Sequence, residues 1–371
     1  MSGKRYSKWV KNNIVKKFFS KFGFTLGIGF AFLLLLSYLA PFVPPDSFWP
    51  IAFFGLPFPY LVIINLFFLV IWALQRSIRL LLPLVVLVLG YSNFTNTFQF
   101  IPEQSASESQ GIKVLSFNVH SYNSKLRSKR TNAPKVIDYF RSTGAEIICL
   151  QEAIFPKEGV LSPKSITETL PAIKHYQFAS TSRYSGSITY SKYPIINLGE
   201  IRFEGTSNLV LFSDIKISDT LTIRVYNCHF QSYLINPAEY SIVDAPGSSS
   251  KDQQINEARK ISNKLKVGFE MRALQARKVA EHISKSPFPV IVCGDFNDTP
   301  VSYAYRTVRG NLFDAFVESG WGISNTYNGA LPSLRIDYIL YGHQFKAVNY
   351  KRDRVYLSDH FPVNCQLILI K

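Results

Sequence analysis

The first third of this 371-residue chain is nearly without charge. Between residues 22 and 100 only Asp46, Arg76 and Arg79 are charged, which excludes an ordinary water-facing domain there. Cysteine is also scarce. Cys149, Cys228, Cys293 and Cys365 stand far apart, each in or beside an apolar β-like run, so neither a disulfide framework nor a CxxC or knuckle pair is readable. They read as small core residues. No GxxxxGK[ST], HExxH or serine nucleophile elbow occurs, which argues against P-loop, zincin and α/β-hydrolase chemistry. Acid is in deficit, with 25 Asp and Glu against 41 Lys and Arg. Residues 111–371 hold 41 less 9 basic and 25 less 3 acidic side chains, a surplus of ten. Such a balance favours anionic partners such as phosphates, nucleic acid or anionic lipid, though it is spread along the chain.

Residues 1–21 carry seven Lys or Arg and no acid. Three apolar runs follow, about 22–43, 51–74 and 80–94. The first two have the length to cross a hydrocarbon core as helices; the third needs its flanks. Several long runs do not fit a cleaved signal peptide, and runs without a polar face do not fit soluble core helices. The expectation is an integral membrane protein, inserted in a bilayer of the bacterial inner-membrane kind. The basic N-terminus (1–21) and the Arg76–Arg79 loop would lie in the cytoplasm, by the bias of Lys and Arg toward that side. With three spans (22–94), a linker (95–111) leads to an extracytoplasmic domain (112–371). If the third run does not span, that domain is cytoplasmic.

From Ile112 the pattern becomes that of a soluble α+β protein. Ile112–Val119, Glu146–Leu150, 221–230, Val290–Cys293 and Leu334–Leu340 read as strands from their β-branched, apolar runs. Pro134–Ser142 reads as a helix closed by Gly144, Ile261–Lys285 as a longer helix, and 231–256 as polar loop. The stretch Pro289–Pro300, PVIVCGDFNDTP, is a buried strand that breaks at Gly294 into Asp295, Asn297 and Asp298. Strands and a few helices without a repeat suggest a layered α+β sandwich.

Polar residues recur where apolar runs end or are interrupted: Asn118, Glu152, His229, Asp295, Asn297, Asp337, Asp359 and His360. Each alone is an ordinary cap or turn residue. Together they are hard oxygen donors with two imidazoles, a set suited to Mg²⁺, Mn²⁺ or Ca²⁺ more than to zinc. Imidazoles beside carboxylates polarise phosphoryl oxygens or move protons. Metal-assisted attack of water on a phosphoester needs this inventory.

The segments LSFNVH, LQE, SGSITYSKYPI, VYNCHF, GDFNDTP, RIDYIL and SDHFPV, in this order, make Ile112–Ile370 resemble the endonuclease/exonuclease/phosphatase superfamily. That superfamily includes deoxyribonuclease I, exonuclease III, neutral sphingomyelinases and inositol polyphosphate 5-phosphatases. The resemblance implies a deoxyribonuclease I-like four-layer α/β/β/α sandwich, here preceded by an all-α transmembrane region. It implies Glu152 as main metal ligand with Asn118, and Asp359 near the metal. Asp295 would orient or deprotonate the water and Asn297 would hold the phosphate. His360, paired with Asp337, would contact the phosphate, and His229 would stabilise the transition state or protonate the leaving group. Arg183 and Tyr184 are further phosphate contacts on this reading. His120 departs from the acidic residue some relatives place there. The expected function is a divalent-metal-dependent phosphodiester hydrolase, with a nuclease first. The alternative is a phospholipid, sphingomyelin or inositol-phosphate hydrolase at the membrane. A non-catalytic binding protein is disfavoured, since every core residue is present. The partners implied are the phosphodiester substrate and the bilayer; no obligate protein partner is readable.

Overall fold

A computed structural model describes residues 21–100, 111–122, 132–182, 185–233, 251–329 and 334–370. Twelve strands form within them: β1 (Ile112–Asn118), β2 (Ile147–Ile154), β3 (His175–Ser182), β4 (Ser185–Ser191), β5 (Ile195–Arg202), β6 (Leu209–Lys216), β7 (Thr222–His229), β8 (Val290–Asp295), β9 (Phe313–Asp314), β10 (Asp337–Tyr341), β11 (Phe345–Arg352) and β12 (Val363–Leu369). They make two six-stranded sheets, ordered β11-β12-β1-β2-β4-β3 and β5-β6-β7-β8-β10-β9. Each sheet is antiparallel except for one central parallel pair, β1 with β2 and β7 with β8.

The sheets bury one face against each other. Val114, Ile147, Cys149, Cys365 and Leu367 of the first meet Ile223, Val225, Ile291, Cys293 and Ile339 of the second. All four cysteines are free and buried. The outer face of the first sheet, through Leu115, Phe117 and Ile148, is covered by helix Ala133–Thr143, with Val136, Ile137 and Phe140 turned inward. That helix ends at Gly144, which takes the left-handed conformation at φ 60° that glycine adopts without steric cost. The outer face of the second sheet, through Tyr226, Val292 and Leu340, is covered by helices Lys251–Ser284 and Tyr303–Arg309. The order of layers is therefore helix, sheet, sheet, helix. The long helix starts ten residues earlier than the apolar spacing suggests. Its first turns, KDQQINEARK, have a high helix propensity but no core stripe.

The N-terminal region is helical at Lys21–Ser37, Phe58–Leu74, Leu81–Leu89 and Tyr91–Thr97. The first two pair antiparallel: Phe24 meets Trp72 at 5.9 Å between ring centroids and Tyr38 meets Phe58 at 6.3 Å. The third joins them where Tyr38 Oη donates to the Val86 carbonyl at 2.8 Å. No single described helix is long and apolar enough to cross a membrane. Two bent pairs pass by length and composition together, Pro45–Gly55 with Phe58–Leu74 at 48° and Ile78–Leu89 with Tyr91–Thr97 at 65°. Prolines at 44, 45, 50, 57 and 59 interrupt the second expected run at its start, since a proline lacks the N–H that would continue a helix.

Candidate active site

Strand register collects the site. In the parallel pairs, Asn118 lies opposite Gln151 and His229 opposite Asp295. β10 runs against β8 and begins at Asp337, opposite Asp295. β12 runs against β1 and pairs Val363 with Ser116, so His360, just before β12, reaches the same edge. Residues up to 242 positions apart thereby share one end of the sandwich.

Local backbone then aims the side chains. The β2–β4 register slips between Leu150 and Ala153, and within this bulge Glu152 adopts φ 50°, which turns a strand residue outward. Asn297 has φ 52°. Gly294 has φ 139°, and a Cβ there would lie 2.0 Å from the Cys228 carbonyl oxygen. Only glycine lets β8 pass β7 just before Asp295.

At the centre the Asn118 amide donates to Glu152 Oε1 at 3.1 Å and to Asp295 Oδ2 at 3.0 Å, while its oxygen accepts from the His120 N–H at 3.0 Å. Asp295 Oδ1 accepts from the Asn297 N–H at 2.7 Å, and the Asn297 amide donates to the Phe230 carbonyl at 3.0 Å. His360 Nδ1 lies 2.9 Å from Asp337 Oδ2 and its Nε2 lies 3.7 Å from Asp295 Oδ2. His229 Nε2 stands 3.4 Å from Glu152 Oε1, an ion-pair distance longer than a good hydrogen bond. His120 Nδ1 lies 3.4 Å from Glu152 Oε2 and 3.5 Å from Asp359 Oδ1.

These neighbours divide the carboxylates electrostatically. Burial pushes the Glu152 pKa up, but His120, His229 and the Asn118 amide outweigh it, and Glu152 is held ionised well below the usual carboxylate range. Asp295 is pushed up to about 6 by burial, with Asp337 adding to the rise and His360 opposing it. His360 is pushed up to about 10, because Asp337 and Asp295 outweigh the opposing effect of burial. His229 also rises, with Glu152 outweighing its burial. Carboxylates of contrasting basicity side by side suit divided acid and base roles.

The donor set fits a hard divalent cation. Glu152 is ionised and a third of its side chain is exposed. Asp337 Oδ1 is buried without a hydrogen-bond partner. Ligand atoms of Asp295, Asp337 and His360 lie within 4.8 Å of one another. His360 Nδ1 is within hydrogen-bonding distance of Asp337 Oδ2, and Glu152 is the more open oxygen donor. Asn118 faces the carboxylates through its nitrogen, so acting as a ligand requires its oxygen to turn inward.

Of the expected residues, Asn118, Glu152, His229, Asp295, Asn297, Asp337, Asp359 and His360 are brought together. Arg183 and Tyr184 lie outside the described residues. Other contributors are visible only in three dimensions. Gln151 donates to Asn227 Oδ1 at 2.8 Å, and Asn227 donates to the Leu150 and Ile188 carbonyls at 3.1 and 2.9 Å, a polar tie between the sheets under the site. Thr326 Oγ1 accepts from the Asp337 N–H at 3.1 Å. Arg272, fully buried, pairs with Asp298 at 2.9 Å, donates to the Gln231 carbonyl at 2.8 Å and lies 4.1 Å from the Tyr233 ring centroid. It ties the loop after Asp295 to the long helix. Gln151 and Asn227 did stand within two residues of expected site positions, the one signal available beforehand.

Fold and site define an α+β sandwich protein with a carboxylate–imidazole centre at one end of its two sheets. The endonuclease/exonuclease/phosphatase family model matches residues 115–360, and the chain belongs to that family. A second model, of a domain of unknown function, matches residues 16–97. The uncharacterized protein YbhP of Escherichia coli strain K12 is 24% identical over 290 residues, covering 72% of this chain and all of the relative. An endonuclease/exonuclease/phosphatase from Bacteroides vulgatus has a TM-score of 0.50 at 17% identity, over 71% of this chain and 100% of that one. A humanized D. rerio TDP2 gives 0.50 at 16% identity, over 70% and 99%. These likenesses establish the fold.

Proposed function

We propose that this chain is a divalent-metal-dependent phosphoester hydrolase, cleaving a phosphodiester by attack of water. One observation carries the reading: Glu152, His229, Asp295, Asn297, Asp337 and His360 converge from both sheets on one edge. Glu152, with Asn118 and Asp359, would hold the cation, which supplies charge neutralisation at the phosphoryl oxygens. Asp295, basic for a carboxylate, takes the proton of the attacking water. Cationic His360, held by Asp337, faces the phosphate, Asn297 orients it, and His229 gives a proton to the departing oxygen. Mg²⁺ or Mn²⁺ suits the oxygen donors best, Ca²⁺ next.

Two readings of the substrate remain from the sequence. The surplus of ten basic residues in 111–371 supports a nuclease. Attachment of the helices beside the site supports a membrane headgroup. We read the helices as a membrane anchor. Lys21, Arg76 and Arg79 share one end, where the Arg79 guanidinium lies 4.8 Å from the Phe24 ring centroid. Phe42, Phe58 and Asn96 sit at the other end, against the sandwich. Basic residues stay cytoplasmic, so the catalytic domain lies outside an inner-membrane-like bilayer.

The test uses the purified full chain and a chromogenic phosphodiester. Turnover is expected with Mg²⁺, is lost with a chelator, and falls at least ~100-fold in Glu152→Gln. Turnover that survives the chelator refutes the mechanism.

A further inference from the structure

We propose that the active site acts on phosphoesters carried by bilayer-resident molecules, met at the membrane surface. This rests on the phosphoesterase reading and the anchor, and adds where the substrate resides.

Three segments lead from the site into the helical layer. Four residues after Asn297, Val301 packs among Phe58, Leu61 and Val62. Its carbonyl lies so near Gly55 that a Cβ on that glycine would sit 2.1 Å away. Two residues before Asp337, buried Arg335 donates to the Asn96 carbonyl at 2.7 Å and to Asp314 at 2.8 Å. Five residues before Tyr327, whose ring lies edge-on to His360 at 5.3 Å, Gly322 exchanges backbone hydrogen bonds with Gln99 at 2.9 and 2.7 Å. At no more than ~3.6 Å per residue, the contacting residues Val301, Arg335 and Gly322 lie within roughly 7–18 Å of Asn297, Asp337 and Tyr327.

The junction is locked. Arg277 pairs with Asp46 at 2.8 and 3.0 Å, Arg309 donates to Asn96 at 2.7 Å, and Phe53 meets Phe269 edge-on at 5.6 Å. The catalytic edge is thus held at a fixed height over the layer. That height is marked by aromatics. Trp321 of the catalytic unit is 63% exposed and Phe100 is 61% exposed, their rings edge-on at 6.3 Å. Large aromatic side chains with a polar tip favour the bilayer surface, and Phe67, Val70, Val88 and Leu89 are exposed on the helices. A headgroup phosphate sits at the bilayer surface, in reach of a site fixed there. In the step itself, the water oxygen joins phosphorus, the bond from phosphorus to the alcohol oxygen breaks, and that oxygen takes up a proton.

The test reconstitutes the full chain in phosphatidylcholine–phosphatidylglycerol vesicles. It compares one chromogenic phosphodiester on a diacylglycerol anchor, the same diester on a water-soluble alcohol, and an oligonucleotide. The anchored diester is expected to turn over at least about 10-fold faster, because a shared surface raises effective concentration. Trp321→Ser should lower that ratio several-fold and leave the soluble rate unchanged. Brominated phosphatidylcholine should quench the emission that Trp321→Phe removes. Faster turnover of the soluble diester or the oligonucleotide overturns the inference and leaves the hydrolase reading standing. Unquenched Trp321 emission, or a ratio unmoved by Trp321→Ser, overturns the placement. No turnover of any probe overturns both readings.

Discussion

Replacing Asp337 by Asn tests the charge logic of the site most directly. The His360 Nδ1 to Asp337 Oδ2 distance is 2.9 Å, and both side chains are buried. At an effective dielectric constant of about 20, unit charges that close attract by about 6 kcal/mol. Half of that, after relaxation, lowers the His360 pKa from about 10 to roughly 8, and the whole of it to roughly 6. The sign is fixed: Asp337 stabilises the cation, so its neutral replacement favours neutral imidazole. A His360 pKa of about 10 leaves roughly nine-tenths of the rings cationic at pH 9, and one of about 7 leaves about a hundredth. If cationic His360 faces the phosphate, the rate of Asp337→Asn at pH 9 falls roughly 100-fold further below wild type than at pH 6. The assay is the pH–rate profile on a soluble chromogenic diester at saturating metal. A loss equal at every pH refutes the reasoning. Stability carries the same signature. A raised histidine pKa stabilises fully below its unfolded value of 6.5 and is lost as pH rises through about 10. At most about 5 kcal/mol is involved, and Asp337→Asn should lack most of that alkaline decline.

Two further outcomes are expected. Arg272→Met leaves Asp298 buried and uncompensated and should cost about 3–5 kcal/mol of stability, while Arg272→Met with Asp298→Leu should cost less; thermal unfolding of the full chain in detergent decides, and a double variant as unstable as the single one refutes the pairing. If the helices anchor the chain as proposed, with Lys21, Arg76 and Arg79 at the cytoplasmic end, a C-terminal reporter should be active outside the cytoplasm; a reporter active only inside reverses the topology.

Much of the site was legible because its residues stand where apolar runs break. Asn118, His229 and Asp295 end three strands, and Glu152 sits at the bulge within β2 where its apolar run breaks. Which strands are neighbours was not legible. Parallel pairing of β1 with β2 and β7 with β8 depends on contacts across long stretches of chain, and no local pattern encodes it. The Gln151–Asn227 tie and the Arg272–Asp298 pair were hidden for the same reason: each is a single polar residue whose partner is distant in sequence. The positive φ of Glu152 and Asn297 was hidden too, since neither is glycine and tertiary packing imposes the conformation.

By itself the sequence determined the family, the hard-oxygen character of the site and the division into an apolar helical region and a charged α+β domain. These follow from residue chemistry, hydrophobic periodicity and motif order, all local properties. Only the tertiary structure decided that the helices pack directly beside the catalytic edge. Val301, Arg335 and Gly322 are an apolar residue, a cation and a glycine with no marked pattern. Their meeting with Phe58, Asn96 and Gln99 joins segments distant in sequence through packing and hydrogen bonds that no local pattern encodes.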